Sequence, residues 1–399
     1  MTDERRVLIA MCGLITINQL GFGSVIPVLP LYAQSFGVAT SAIGMAVAIY
    51  GLARFFVAVP SGQIADRLGR RPTLAIGGLV SAAGNLWCAV AADYPEFIVA
   101  RFVAGAGAGI ILTTGQVVLA DISTPERRGR MISIYQGCFL FAVGIGPLPG
   151  GLIATHYGLA APFYAYGAAS LLATVVAWFA VKETRSLGMA AGGDGGLAAV
   201  SYFRQIRLLM GRLGFVLVSI VSLTNAVMRT GGLFTIIPVF AAVELALSVA
   251  EIGFGLAVGS VFGLIAAYPT GVLVDRFGRK AVIVPSTLIS GLAMVLFVVA
   301  ATPLWFTVSC VVWGIAASVG GTAPAAYAAD SAPPGMNAAA MSTFRMVGDF
   351  GYVFGPIALG FVVDAQGPHA ALLATAAISV LVGLVFLKFA PESFAGTKR

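Results

Sequence analysis

The sequence predicts an all-α membrane protein of twelve transmembrane helices in two pseudo-symmetric six-helix bundles. Three observations lead there: apolar runs of membrane-spanning length, basic residues confined to alternate breaks between them, and an internal repeat at one fixed offset.

Hydrophobic residues make up 59% of the 399 and charged residues 10%, with a mean hydropathy of +0.97. A soluble domain carries about 25% charged residues, so this chain could not cover its surface with polar groups. A span needs roughly 20 mostly apolar residues. The runs fall at 8–33, 41–61, 73–92, 95–119, 131–155, 160–181, 213–241, 249–271, 281–301, 303–327, 339–363 and 369–390. They are continuous and lack the ten-residue alternation of a membrane strand, which makes them helices. The first is too long for a signal-peptide core and no small-residue cleavage site follows it, so it is expected to stay as an anchor. Gly (50) and Pro (19) are frequent, as membrane helices tolerate.

The net charge of +7 raises the question of a nucleic-acid partner, and the positions of the charges exclude it. Of the 23 Lys and Arg, all but Arg54, Arg101, Arg229 and Arg345 lie in the termini and alternate loops, in groups such as Arg67, Arg70, Arg71 and Arg127, Arg128, Arg130. The opposite loops carry acids instead: Asp93, Glu96, Glu244, Glu251 and Asp364. Positive residues inside place both termini in the cytoplasm. Cys12, Cys88, Cys138 and Cys310 lie far apart within apolar runs and read as small buried hydrophobes rather than disulfides or metal ligands.

The repeat organises the rest. Gly62 to Arg71 reappears as Gly271 to Lys280, an offset of 209 that also carries Ile43-Gly44 to Ile252-Gly253, Pro60 to Pro269, Asp121 to Asp330, Gly146-Pro147 to Gly355-Pro356 and Glu183 to Glu392. The expected organisation is an N-terminal six-helix bundle over 1–181, a cytoplasmic linker over 182–212 and a C-terminal bundle over 213–399. Within the linker, 187–199 is rich in Gly, Ala and Met and reads as flexible, and a basic segment follows it. Duplicated bundles suit alternating access around a site near the midplane.

The loop Gly62-Gln-Ile-Ala-Asp66-Arg67-Leu-Gly69-Arg70-Arg71, its copy with Asp275 and Arg279, Asp121 to Arg130, Glu183-Thr184-Arg185 and Pro391-Glu392-Ser393 together resemble the major facilitator superfamily over nearly the whole chain. The resemblance implies the major facilitator fold. It also implies a cytoplasmic latch of Asp66, Arg70, Asp121, Gly62, Gly69, Asp275 and Arg279, in which Asp66 faces the start of span 11, whose helix dipole favours an anion. Asp66 or Asp121 is within reach of Arg70, and the two glycines read as close-approach and turn positions. Gly146-Pro147-Leu-Pro149-Gly150-Gly151 in span 5 resembles the bend motif of the family's exporters, with Gly355-Pro356 as its copy; Ser133 and Ala142 stand where that motif has further glycines. Arg101-Phe-Val-Ala104-Gly105 resembles a motif whose arginine is tied to proton coupling, with Ala104 in place of the commoner glutamine.

A charge at the bilayer centre costs at least about 2.5 kcal/mol on insertion scales, so embedded charges face protein or a water-filled cavity. Five lie well inside spans: Arg54, Arg101, Arg229, Arg345 and Asp349. Arg345 and Asp349 are spaced i,i+4 on one helix face and read either as a structural ion pair or as a proton site. Asp349, Arg345 and Arg101 are the proton-coupling candidates. Span 1, where related antiporters place a carboxylate, offers only Asn18 and Gln19. Asn18, Gln19, Arg54, Gln116, Tyr135, Gln136, Asn225, Arg229 and Tyr327 are the substrate-cavity candidates, with Tyr32 and Thr113 beside them. The arginine excess fits a neutral, zwitterionic or anionic cargo better than a cation.

No phosphate loop, metal-spaced cluster or nucleophile constellation is legible; Gly105-Ala-Gly107-Ala-Gly109 lies within a span and follows no strand, so it is a packing ridge. The expectation is therefore a carrier and not an enzyme, with no catalytic residue, metal or cofactor and a proton gradient as driving force. The resemblance implies a multidrug-type drug:proton antiporter, a monomer in the bacterial inner membrane whose partners are an amphipathic small molecule and the lipid bilayer. A lipid or lysolipid carrier and a facilitator or uptake carrier for a polar metabolite remain the alternatives.

Overall fold

The computed structural model describes residues 3–122, 125–184, 202–332 and 337–393. Most of the 182–212 linker, including 187–199, lies outside the described residues, as do the side chains of Asp66 and Asp275. Among the described residues the secondary structure is helical throughout. In the N-terminal half the helices are α1 (Asp3–Val25), α2 (Leu29–Gln34), α3 (Thr40–Leu68), α4 (Arg70–Val90), α5 (Tyr94–Ile122), α6 (Pro125–Ile145), α7 (Pro147–Tyr157) and α8 (Ala161–Ala180). A short α9 (Tyr202–Met210) follows. The C-terminal half has α10 (Leu213–Val227), a π-helical stretch (Met228–Ile236), α11 (Ile237–Glu244), α12 (Val249–Phe277), α13 (Arg279–Val299), α14 (Pro303–Asp330) and α15 (Asn337–Phe389).

The breaks have local causes. Span 1 divides into α1 and α2 because Pro27 and Pro30 remove backbone donors, leaving three-residue turns such as Val28 N–H to Val25 O, 3.1 Å. Span 5 divides into α6 and α7 at Gly146, just before Pro147. The 53 residues of α15 would extend about 80 Å at helical rise, far beyond one bilayer crossing of about 30 Å. Gly367, at φ 86° and ψ 167°, interrupts it, so α15 supplies spans 11 and 12 and the total is twelve. Gly158 has nearly the same dihedrals, φ 88° and ψ 167°, and lies 209 residues earlier. Such backbone is open essentially to glycine alone, so the 5–6 and 11–12 turns are one device used twice.

The chain forms two compact units. The first holds residues 1–38, 45–195 and 248–253; the second holds 39–44, 196–247 and 254–399. Within the first, α4 packs on α5 and α8, and α1 on α6 and α8. Its apolar core runs through Met11, Leu14, Ile15, Leu74, Val118 and Ala177. Within the second, α13 packs on α14 and α15, and α10 on α15, around Phe215, Val218, Ile283, Ala323 and Phe386.

The units do not follow chain halves strictly: each takes in six residues at the start of a long helix from the other half. In the second unit Gly44 lies against the Pro356 carbonyl, a Cβ on Gly360 would stand 2.6 Å from Ser41 Cα, and Asp364 accepts the Thr40 and Ser41 N–H groups at 2.7 and 2.9 Å. In the first, Gly253 lies against the Pro147 carbonyl and Gly151 approaches Val249 O. The Gly44–Pro356 and Gly253–Pro147 contacts are related by the offset of 209, as are Gly360 and Gly151.

Candidate functional site

Around the first signature loop the described bonds form a clamp inside the first unit. Arg70 donates from Nε to Asp121 Oδ2 at 2.8 Å and from Nη1 to Ala65 O at 3.0 Å. Its backbone N–H and that of Arg71 go to the Glu183 carboxylate at 2.9 and 3.2 Å, and Thr184 Oγ1 donates to Asp121 at 2.9 Å. Starts of helices leave orphan N–H groups, and Glu183 satisfies two of them for α4. The second unit repeats the design. Arg279 Nε meets Asp330 at 3.1 Å, Arg279 Nη1 meets Val274 O at 3.0 Å, and Glu392 accepts the Arg279 and Lys280 N–H groups.

The resemblance placed Arg70, Asp121 and Arg279 in a latch; the described partners of each lie within its own unit, so the bonds seen tie span ends inside a unit. The two glycines of the loop also differ from expectation. A Cβ on Gly62 would meet none of the described residues within 4 Å, whereas Gly69 has φ 103° and faces the Glu183 carboxylate. Gly69→Ala is therefore expected to destabilise by about 1–3 kcal/mol and Gly62→Ala to be neutral or stabilising. Thermal unfolding of the purified variants checks the pair, and equal effects would refute the distinction.

The bend motif is a contact surface between spans 1 and 5. Pro147 cannot donate to Val143, and a Cβ on Gly23 would stand 2.7 Å from the Val143 carbonyl. A Cβ on Gly146 would stand 2.6 Å from Gly23 Cα, and one on Gly150 would overlap the Ser24 carbonyl. In the second unit Gly355 lies as close to Val227 Cα, at 2.9 Å from an added Cβ.

Of the embedded charges, Arg101 is the most enclosed, with a relative exposure of 1%. Its Nε donates to Ala46 O at 3.2 Å, its guanidinium carbon lies 4.4 Å from the centre of the Tyr50 ring, and Nη1 has no partner among the described residues. Tyr50 also stacks on Phe22 at 5.3 Å. The Tyr50 and Tyr166 hydroxyls are 2.9 Å apart, and Ser81 and Ser170 hydroxyls 3.0 Å; Asn85 donates to Ser81 O at 2.8 Å. Arg54, half-buried, lies within electrostatic reach of both tyrosines. Tyr50, Tyr166, Ser81 and Asn85 were not singled out from sequence. The legible signal was Tyr50 one turn before Arg54.

In the second unit Arg345 and Asp349 are both exposed on α15, and Arg229 is half-buried in the π-helical stretch, with Tyr352 in its electrostatic neighbourhood. A π segment is a common feature of functional sites and its sequence gave no sign of it. The substrate-cavity candidates divide. Asn18 and Tyr135 are buried with side-chain polar atoms that lack partners among the described residues, and Gln19 is buried. Gln116 and Gln136 are exposed, and Asn225 is half-buried. Tyr327 is a correction: it is fully buried, donates to Pro391 O at 2.6 Å and packs on Phe386, which makes it a core residue. Tyr32 likewise donates to Cys88 O at 3.0 Å among Phe36, Phe97 and Phe163. The four cysteines are free, and Cys12 and Cys138, distant in sequence, are neighbours within hydrogen-bonding reach.

Comparison with known proteins agrees with this architecture. The family model of the Major Facilitator Superfamily matches residues 11–243 and 216–399. An uncharacterised MFS-type transporter of Methanocaldococcus jannaschii is 23% identical over 368 residues, 92% of this chain and 94% of that protein. Multidrug resistance protein MdtL of Shewanella oneidensis is 25% identical over 280 residues, 70% of this chain and 68% of MdtL. Among solved structures, a bacterial homologue of the human lysosomal transporter Spinster superposes with a TM-score of 0.79 at 15% identity, over 97% of each chain.

Proposed function

The chain belongs to the major facilitator superfamily, a multi-pass membrane transporter family, and on that premise we propose that it is a proton-coupled exporter of hydrophobic or amphipathic small molecules working by alternating access. The observation that carries this reading is where the repeat breaks. Signature clamps, glycine turns and Gly-Pro contacts recur at an offset of 209, and the embedded charges do not. Arg54 corresponds to Gly263, Arg101 to Cys310, Arg345 to Gln136 and Asp349 to Leu140. A shared framework serves the fold; unshared ionisable groups serve cargo and coupling ion. The multidrug relative MdtL and the Gly146-Pro147 motif support export.

Asp349 is the proton carrier in this reading, since it is the only acidic residue deep within a span and an arginine cannot give up its proton. Arg345, four residues earlier, shares a helix face with it. The protein works as a monomer in the bacterial inner membrane with both termini in the cytoplasm.

Proteoliposomes loaded with an amphipathic fluorescent dye test the proposal. Dye accumulation is expected to follow an imposed pH gradient and to collapse with it; accumulation indifferent to the gradient would exclude proton antiport. Asp349→Asn is expected to reduce driven transport to the level of empty vesicles while dye binding persists. Undiminished driven transport in that variant would remove Asp349 from the mechanism.

A further inference from the structure

We propose that Arg101 and Arg54 form an anion subsite inside the first unit, built on the Tyr50–Tyr166 hydroxyl pair, that takes the carboxylate or similar oxyanion of an organic cargo. Placing an anion there deepens the exporter reading, on which it rests for the identity of the cargo as substrate. A guanidinium stays charged under all physiological conditions, and a buried charge is tolerated only when paired or well hydrogen-bonded. Arg101 is 1% exposed, gives one hydrogen bond to a backbone carbonyl and rests on an aromatic face. Among the described residues Nη1 still finds no acceptor, and no carboxylate pairs with Arg101 or Arg54.

The surroundings are arranged for an acceptor and not for a cation. Side chains on a helix lean toward its N-terminus, so Arg54, four residues after Tyr50 on α3, leans back toward that tyrosine. Both arginines lie within electrostatic reach of the two hydroxyls. The hydroxyl pair uses one proton in its own 2.9 Å bond, and Tyr166 has Ser81 as a further hydrogen-bond neighbour. Two guanidiniums are donors only, which selects an oxyanion and rejects an ammonium. The ring of Tyr50 and its partner Phe22 supply an apolar flank for the rest of an amphipathic molecule.

Three matched probes, benzoate, benzyl alcohol and benzyltrimethylammonium, test this by ligand-observed NMR on the full chain in nanodiscs. Wild-type protein is expected to bind benzoate at least about tenfold more tightly than the alcohol, as a charge-assisted bond in a buried setting implies, and to bind the cation least. Arg101→Gln is expected to erase that preference, Arg54→Gln to reduce it and Arg101→Lys to keep part of it. Should Arg101→Gln fail to fold, judged by its unfolding midpoint, Arg54→Gln at its half-buried position carries the test. No preference for benzoate in wild type, or a preference surviving both glutamine variants, overturns the subsite. Inorganic phosphate competing as well as benzoate would mark a free-anion site and overturn the assignment to cargo. Gradient-driven efflux of a neutral dye, measured in parallel, tests the exporter reading separately, so either idea can fail alone.

Discussion

Arg70→Ala is expected to cost about 3–5 kcal/mol of stability, the usual penalty when one partner of a buried ion pair is removed. Arg70 and Asp121 are 6% and 7% exposed, so the carboxylate left behind would be largely dry and, among the described residues, held by the Thr184 hydroxyl. The variant also loses the Arg70 Nη1 bond to Ala65 O, which ties the end of α3 to the start of α4. The check is the unfolding midpoint of purified protein together with the folded yield. Replacing both partners by apolar residues, as in Arg70→Met with Asp121→Leu, should recover much of the loss, because the stranded carboxylate is then gone. A single variant as stable as wild type would show that the clamp holds nothing.

The second copy makes the comparison sharper. Arg279 and Asp330 are 13% and 32% exposed, with a longer bond of 3.1 Å. Solvent screens a pair of that exposure, and such pairs contribute about 0–1 kcal/mol. Asp330→Ala should therefore destabilise far less than Asp121→Ala, although the two positions are equivalent in the repeat. The duplicated motif is thus conserved in geometry and unequal in energy.

That inequality marks what the sequence could show. The twelve spans and the offset of 209 follow from apolar length and repeated spacing, which are properties of neighbours along the chain, while Arg70 was within reach of either Asp66 or Asp121. Pro147 announces its bend for the same reason, whereas the break at Pro27 was not read from the sequence. Burial is a property of distant neighbours, and there the reading was weaker. Tyr327 looked like a cavity residue because it is polar in an apolar run, yet its hydroxyl is taken up by Pro391. Tyr166 was not singled out and meets Tyr50 beside Arg101, a contact 116 residues apart in the chain. Gly62 and Gly69 look alike in sequence and differ in φ, which no local composition reveals. The π-helical stretch Met228–Ile236 has no periodic signal to announce it.

Gly150 offers the second large effect, and it decides what the Gly-Pro motif is. A Cβ added there would overlap the backbone of Ser24, and one on Gly146 would press on Gly23 Cα at 2.6 Å. Backbone cannot rotate aside as a side chain can, so Gly150→Ala must separate α1 from α7 or distort one of them. Overpacking of this kind costs about 1–3 kcal/mol and at times more, and Gly150→Val should exceed Gly150→Ala. Gly137 is the control: it lies in α6 with no described residue within 4 Å of an added Cβ. There the helix-propensity gain of about 0.5–1 kcal/mol for alanine over glycine should appear unopposed. Unfolding midpoints of the three variants give the order, and dye efflux in the same proteoliposomes gives its meaning. A free hinge would lose transport on Gly150→Ala while keeping its stability, because alanine restricts bending without a clash. A packing ridge loses both together, since the contact between spans 1 and 5 is what alanine breaks. The close approach of Gly150 to Ser24 predicts the second outcome.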